Sequence, residues 1–293
     1  MEKTVYALGF FDGVHLGHQA LLREAVRLAA EAGAAPGVVT FSTHPDGLVS
    51  GNAPKLLNTR EERNGLLRAA GIESVFELPF DEKVKNTHWS DFLRQLVEAG
   101  AAGFVCGDDF RFGAGGLGTP KKLEAFCKKQ GIPYAIVPQQ TLDGVRVSST
   151  HIRHLLENGQ MEQACRFLGH PHILTGEVVE GRQLGRTIGI PTANVLLPEG
   201  LAVPKLGVYA CKTVVDGKVY SAVTNIGSRP TVGGHQVRAE SWLLDFEGDL
   251  YGKTITLALL KFLRPEQKFD SLEELKAQIL LDAEQVKKLT MDN

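Results

Sequence analysis

The chain has 293 residues, a length that makes two domains or one large one and excludes a mini-protein held together by disulfides. Hydrophobic residues make up 43% and charged residues 23%, the balance of a soluble globular protein rather than a disordered or membrane-spanning chain. Lysine and arginine (32) nearly cancel aspartate and glutamate (34), so the net charge of -2 gives no global field for gripping a nucleic-acid backbone, and any anionic ligand has to be met locally.

The N-terminus, with Glu2 ahead of Lys3 and a short apolar run broken by Gly9 and Asp12, is unlike a secretory leader. A strand is expected over residues 5–8, followed by a helix over residues 17–32. That helix repeats Leu21, Leu22, Ala25, Val26 and Ala29 at three- and four-residue spacing, and Gly33 can stop it. Further strands are expected at residues 38–41, 75–78, 104–106 and 134–137, with helices over residues 90–99 and 121–130 among them. The second of these has Thr119 as N-cap, Pro120 as its first residue and Gly131 beyond its end. Strands alternating with helices predict a parallel sheet covered on both faces.

Residues 157–172, with Gly159, Gly169 and Pro171, read as a linker. Beyond them the pattern changes to strands joined by turns. Residues 208–215 and 218–225 flank Asp216-Gly217, a hairpin signal, and strands over 237–246 and 254–263 follow, which predicts an antiparallel barrel or sandwich. Ser271 and Glu274 form a capping box that opens a closing amphipathic helix. The four cysteines, Cys106, Cys127, Cys165 and Cys211, are far apart and lack C-x-x-C spacing, so free thiols in a reducing cytosol are expected, with neither a zinc site nor a disulfide. No stretch approaches 18 uninterrupted apolar residues, and a cytoplasmic protein is expected.

Residues 9–18, G-F-F-D-G-V-H-L-G-H, run from the first strand into the first helix. They match neither G-x-G-x-x-G nor a Walker A loop, yet the C-terminal end of such a strand is where open parallel sheets bind ligands, and the helix N-terminus offers free N–H groups to an anion. His15 and His18, three residues apart around Gly17, can both point at one phosphate and stabilise charge building on phosphorus. Further along, Gly176, Gly181, Gly185 and Gly189 precede Pro191-Thr192-Ala193-Asn194, a strand entering a loop that can fold over a ligand. If extended, Thr192 and Asn194 share a side and offer a hydroxyl and an amide oxygen to magnesium or phosphate. Alternation puts Glu240 on one face with Trp242, Leu244 and Phe246, an inward carboxylate that has to be paired, metal-bound or catalytic; Arg238 on the same face is the competing partner.

H-x-G-H resembles the signature of the nucleotidyltransferase superfamily, and the longer form is similar to that of bacterial bifunctional riboflavin kinase/FAD synthetases. Three further segments agree: residues 147–153 (V-S-S-T-H-I-R), residues 106–113 (C-G-D-D-F-R-F-G) and residues 40–45 (T-F-S-T-H-P), the last with Thr43 where the family has proline. The glycine-rich loop, P-T-A-N, residues 207–210, residues 225–231 and the E-S-W-L-L-D-F strand resemble the family's kinase module.

The resemblance implies an α/β fold in two domains. Residues 1–168 form a doubly wound, Rossmann-like nucleotidyltransferase domain acting as FMN adenylyltransferase, and residues 169–293 an antiparallel β-barrel riboflavin kinase domain with its closing helix. His15, His18 and Glu240 are then catalytic. Gly9, Phe10, Asp12, Gly17, His44, Ser149, Thr150, Arg153, Gly181, Gly185, Gly189 and Thr192 bind ATP or phosphate, Asp109, Phe110, Phe112 and Arg229 bind flavin, and Thr192 and Asn194 bind metal. Magnesium is the implied cofactor, with ATP, riboflavin, FMN and FAD as substrates and products. The expected partners are small molecules and at most a weak homo-oligomer, with no nucleic acid and no membrane. The rival readings are a nucleotidyltransferase for another phosphate ester, with the barrel used for recognition, and a flavin carrier without turnover.

Overall fold

The computed structural model describes residues 3–181, 184–231 and 234–291. They fall into two compact units, Met1–Ser149 and Thr150–Asn293.

The first unit contains β1 (Thr4–Leu8), α1 (Leu16–Ala32), β2 (Ala35–Phe41), α2 (Pro45–Val49), α3 (Arg60–Ala69), β3 (Ser74–Leu78), α4 (Glu82–Lys85), α5 (Trp89–Glu98), β4 (Ala101–Gly107), α6 (Pro120–Gln130), β5 (Tyr134–Val137) and a small hairpin of β6 (Thr141–Leu142) and β7 (Val145–Arg146). The five long strands make one parallel sheet in the order β3-β2-β1-β4-β5. This is a doubly wound order, with its switch point between β1 and β4. Every residue of β1 is buried because the strand is central: Val5 and Ala7 join the core on one side of the sheet, and Tyr6 and Leu8 the core on the other. Gly33 ends α1 at φ 58°, and α6 begins at Pro120 with Thr119 Oγ1 accepting from Lys122 N, as its sequence predicts.

The second unit contains α7 (Ser149–Glu157, its first residue still in the first unit), α8 (Met161–Leu168), β8 (His172–Val179), α9 (Leu184–Thr187), β9 (Ala193–Leu196), β10 (Gly207–Val215), β11 (Lys218–Thr231), β12 (Gly234–Leu243), β13 (Thr254–Arg264) and α10 (Leu272–Met291). The six strands close into a barrel, β10-β11-β12-β9-β8-β13, with antiparallel neighbours. Asp216 and Gly217, at φ 50° and 79°, make the primed turn that joins β10 to β11. The stretch expected to be a linker instead carries α8. Its buried Met161, Ala164, Phe167 and Leu168 recur at helical spacing, and the helix packs on β8 and β13.

One expectation about the barrel is reversed. Glu240 and Trp242 do share a face, but it is the outer one; Ala239, Ser241 and Leu243 are the buried inward set. The inside is already filled by the alternate residues of the strands, Tyr209, Leu257 and Leu259 among them, and the outer face can be apolar too because a helix covers it. There Val208, Ala210, Val223 and Leu244 are covered by Ala283 and Val286 of α10. β12 also stops at Leu243, earlier than expected, because Asp245 turns the chain at φ 58°.

Candidate active sites

At the switch point of the parallel sheet, Gly9–His18 leaves β1 and enters α1. Gly9 allows close approach, since a Cβ there would stand 3.1 Å from the Phe11 ring, which would have to give slightly. A Cβ on Gly17 would stand 3.1 Å from the His15 ring, so its absence lets that imidazole lie against the start of the helix. His15 is buried and caps α1: its Nδ1 accepts from His18 N at 3.2 Å. In the neutral ring the proton therefore sits on Nε2, which makes that nitrogen a donor. The two imidazoles stack, with centroids 3.6 Å apart. Burial, and then the neighbouring His15, hold His18 well below the ordinary histidine pKa, so its ring is neutral at pH 7. His18 Nδ1 is buried with no hydrogen-bond partner. Ser149, the first residue of α7, donates from Oγ to Asp12 O at 2.9 Å and so ties the later motif to this turn.

Beside this turn, Gly9, Phe41, Phe80, Phe92, Phe110 and Phe112 line a cavity of about 400 Å³ on the C-terminal edge of the sheet. A cavity of that size walled by aromatic rings suits a planar heteroaromatic ligand.

In the barrel, strand register assembles the second constellation. Asn194, Glu240 and Asn225 are direct neighbours across β9, β12 and β11 and project from the same outer face. Asn194 is buried, and its Oδ1 has no hydrogen-bond partner. The chain passes directly over this side chain at Gly181, where a Cβ would fall 2.3 Å from Asn194 Nδ2. Arg238 donates to Gln236 Oε1 at 3.0 and 3.3 Å, which places the expected competitor for Glu240 on another partner. Glu240, Asn225, Thr192, Gly185 and Trp242 line a cavity of about 570 Å³, bounded on its far side by Arg264, Phe269 and Asp282. Thr192 also borders a second cavity of about 250 Å³ that contains Glu247, Asp249 and Tyr251. Thr192 is therefore common to the linings of both cavities.

The FAD synthetase family model matches residues 1–151, and the riboflavin kinase model residues 168–290. Bifunctional riboflavin kinase/FMN adenylyltransferases from Escherichia coli (strain K12) and Bacillus subtilis (strain 168) are 39% and 37% identical, covering 96% and 97% of this chain and 91% of each relative. The chain belongs to the bifunctional riboflavin kinase/FMN adenylyltransferase family. It is an enzyme, with an FAD synthetase region followed by a riboflavin kinase region. A solved structure from Streptococcus pneumoniae named as a macrolide-efflux protein shares the fold, with TM-score 0.89, 31% identity and coverage of 98% of this chain and 94% of its own. The efflux name belongs to that protein; among the described residues here, no helix is long and apolar enough to cross a membrane.

Within the FMN adenylyltransferase half, Gly9, Phe10, Asp12, His15, Gly17, His18 and Ser149 come together around one turn. Asp12 is buried, and its Oδ1 accepts from Leu57 N at 2.8 Å. His44 caps α2, accepting from Asp46 N, and its ring meets Phe10 edge-on at 4.7 Å. Phe110 and Phe112 reach the aromatic cavity, whereas the Asp109 carboxylate pairs with Arg146. Thr150 and Arg153 stand on α7 beyond Ser149. In the kinase half, Thr192, Asn194, Gly181, Gly185 and Glu240 converge, and Gly189 turns the chain at φ 77° after α9. The expected mobile loop therefore contains a helical turn. The Arg229 side chain, with Arg182 and Gln183 of the glycine-rich loop, lies outside the described residues. Among the described residues, all four cysteines are free.

Sequence reasoning gave Asn225 no role. Its place beside Glu240 depends on the β11–β12 register, which no turn signal reveals. Phe80 was likewise given no role, and Phe41 only a place in a strand and in the T-F-S-T-H-P segment; both line the aromatic cavity.

Proposed function

We propose that the two reactions of the family run on the two constellations just described, with His15, His18 and Ser149 serving adenylyl transfer and Thr192, Asn194 and Glu240 serving phosphoryl transfer. The buried, unpartnered Asn194 Oδ1, directly across the strand pair from Glu240, which lines the larger cavity with Thr192, carries the reading. An amide oxygen left unmatched in the interior costs about 1–3 kcal/mol unless a ligand uses it, and a hard oxygen donor next to a hydroxyl and a carboxylate suits magnesium. Asn194 and Thr192 would hold that ion, which supplies charge neutralisation and alignment of the polyphosphate.

In the kinase half, Glu240 takes the proton from the riboflavin 5′-hydroxyl. The freed oxygen attacks the γ-phosphorus of ATP, and ADP leaves. A positioned carboxylate is needed because an alcohol is a poor nucleophile. In the other half, the phosphate of FMN is already anionic. Its oxygen attacks the α-phosphorus of ATP and pyrophosphate departs, so the site has to align and stabilise rather than deprotonate. His15 Nε2–H supports the charge on the transferring phosphate, and neutral His18 keeps its partner ring in place by stacking. Residues 1–149 are assigned to adenylyl transfer and the barrel with α10 to the kinase, the division falling within residues 150–168. Magnesium serves both sites, the partners are small molecules, and the chain works in the cytoplasm.

The test is a double dissociation read by chromatography of flavin products. His15→Asn should abolish FAD formation from FMN and spare FMN formation from riboflavin, and Glu240→Gln should do the reverse. Either variant leaving its own reaction near the parent rate removes that assignment.

A further inference from the structure

The turn that presents His15 is strained and held on both sides of Phe11. Phe11 and Val14 adopt left-handed φ values of 63° and 38°, with Gly13 at 80° between them. For a bulky and a β-branched residue that conformation is unfavourable and persists only where the surroundings impose it. Two contacts bracket Phe11. Leu57 N donates to the Asp12 carboxylate on one side, and Arg63 Nη1 donates to Phe10 O at 3.3 Å on the other.

Arg63 does more than this. Its Nη2 donates to Phe41 O at 3.0 Å and to Glu77 Oε1 at 3.1 Å, and its guanidinium lies 4.6 Å over the Phe10 ring. One side chain on α3 thereby joins the ends of β1, β2 and β3, the edge where the adenylyl-transfer residues stand. Thr40 Oγ1 adds a second donor to Phe10 O at 3.0 Å. The Phe10 ring meets His44 edge-on, so the same clamp reaches a second histidine. Arg63 is only 3% exposed, and an arginine is kept so deep at substantial desolvation cost. Burial pushes its pKa down although Glu77 opposes the shift. A fork of fixed N–H donors is suited to spanning two carbonyls and a carboxylate.

We infer that Arg63 is a positioning residue for adenylyl transfer, holding the strained Phe10–Asp12 turn so that His15 and His44 meet the ATP phosphates in register. The inference rests on the reading of the Gly9–His18 turn as the adenylyl-transfer site. Buried at 3% exposure, Arg63 acts through the Phe10 and Phe41 carbonyls.

The experiment compares steady-state FAD formation by the full chain, saturating FMN and ATP in turn, with riboflavin phosphorylation by the same preparation as an internal reference. Arg63→Met, which removes every donor, should lower kcat for FAD formation about 10²-fold, the loss expected when reacting groups shift by about 1 Å. KM for FMN and ATP should move less than threefold, because the substrate contacts remain. Arg63→Lys keeps charge and donors and should recover at least tenfold of that loss. Thr40→Val, which removes one donor to Phe10 O and leaves the arginine in place, should lower kcat about fivefold and keeps the idea testable if Arg63→Met does not fold. A kcat within threefold of the parent in Arg63→Met would overturn it, as would a loss confined to KM, or a lysine variant no better than methionine. If Arg63→Met does not fold, an unchanged kcat in Thr40→Val overturns it. His15→Asn in the same assay separates the two claims: retained FAD formation there removes the site reading itself, whereas its loss alongside an unaffected Arg63→Met removes only the role of Arg63.

Discussion

Gly181→Ala tests whether the position of the Asn194 amide controls phosphoryl transfer. The methyl group would fall 2.3 Å from Asn194 Nδ2, 2.5 Å from Cγ and 2.6 Å from Oδ1, where ordinary contact begins near 3.4 Å. Either the amide or the loop above it therefore has to move by about 1 Å, and a misplacement of that size costs on the order of 10² in rate. The φ of Gly181 is not among the positive ones, so backbone strain does not confuse the outcome. The assay follows FMN formation from riboflavin at several magnesium concentrations, with FAD formation from supplied FMN as reference. The kinase kcat should fall about 10²-fold with weakened magnesium dependence, and FAD formation should hold. A kinase kcat within threefold of the parent, at an unchanged magnesium requirement, would refute the argument.

Three further outcomes follow from the same geometry. Gly17→Ala places a methyl group 3.1 Å from His15 Cε1 and 3.2 Å from its Nδ1, so FAD formation should drop roughly tenfold while phosphorylation is unaffected, read by the same chromatography. His172 is buried, its Nε2 has no hydrogen-bond partner, and burial, then His170, lower its pKa to about 3. The unfolded chain binds this proton near pH 6.5 and the native barrel refuses it, so stability is lost as pH falls below about 6.5. At about 1.4 kcal/mol per pH unit, the loss reaches about 2 kcal/mol by pH 5.0. Urea melts should show that slope, and His172→Gln should flatten it. Asp282, 1% exposed, accepts from Arg264 Nε and Nη2 and from Gln278. Asp282→Asn should destabilise the barrel unit by about 3 kcal/mol and raise KM for riboflavin, since Asp282 and Arg264 both line the larger cavity, as calorimetry and initial rates would show.

The architecture was readable where local signals act alone. The Asp216-Gly217 turn, the Thr119-Pro120 start and the Gly33 stop are written in two or three residues each, and the structure uses all of them. α8 was missed because Gly159 and Gly169 mark its two ends yet read as punctuation within a linker. Glu240 illustrates a different limit. Alternation correctly paired it with Trp242 but could not say which face the barrel encloses, because both faces are apolar once α10 covers the outside. The first turn was legible as a motif through its histidines and glycines. Arg63 was not, because its partners lie on three separate strands, and only folding brings those carbonyls within reach of one guanidinium.

The row Asn194, Glu240, Asn225 also says how the kinase chemistry can change over time. Adjacent strands are held about 4.8 Å apart by their ladder, so acid and amide keep a fixed interval whatever the loops around them do. A slip of one residue in β12 would exchange the acid for Ala239 or Ser241, and barrel closure leaves no free rim along which such a slip could be accommodated. Substrate preference can therefore drift through α10 and the connecting loops, while the groups proposed to react are locked to the pitch of the sheet.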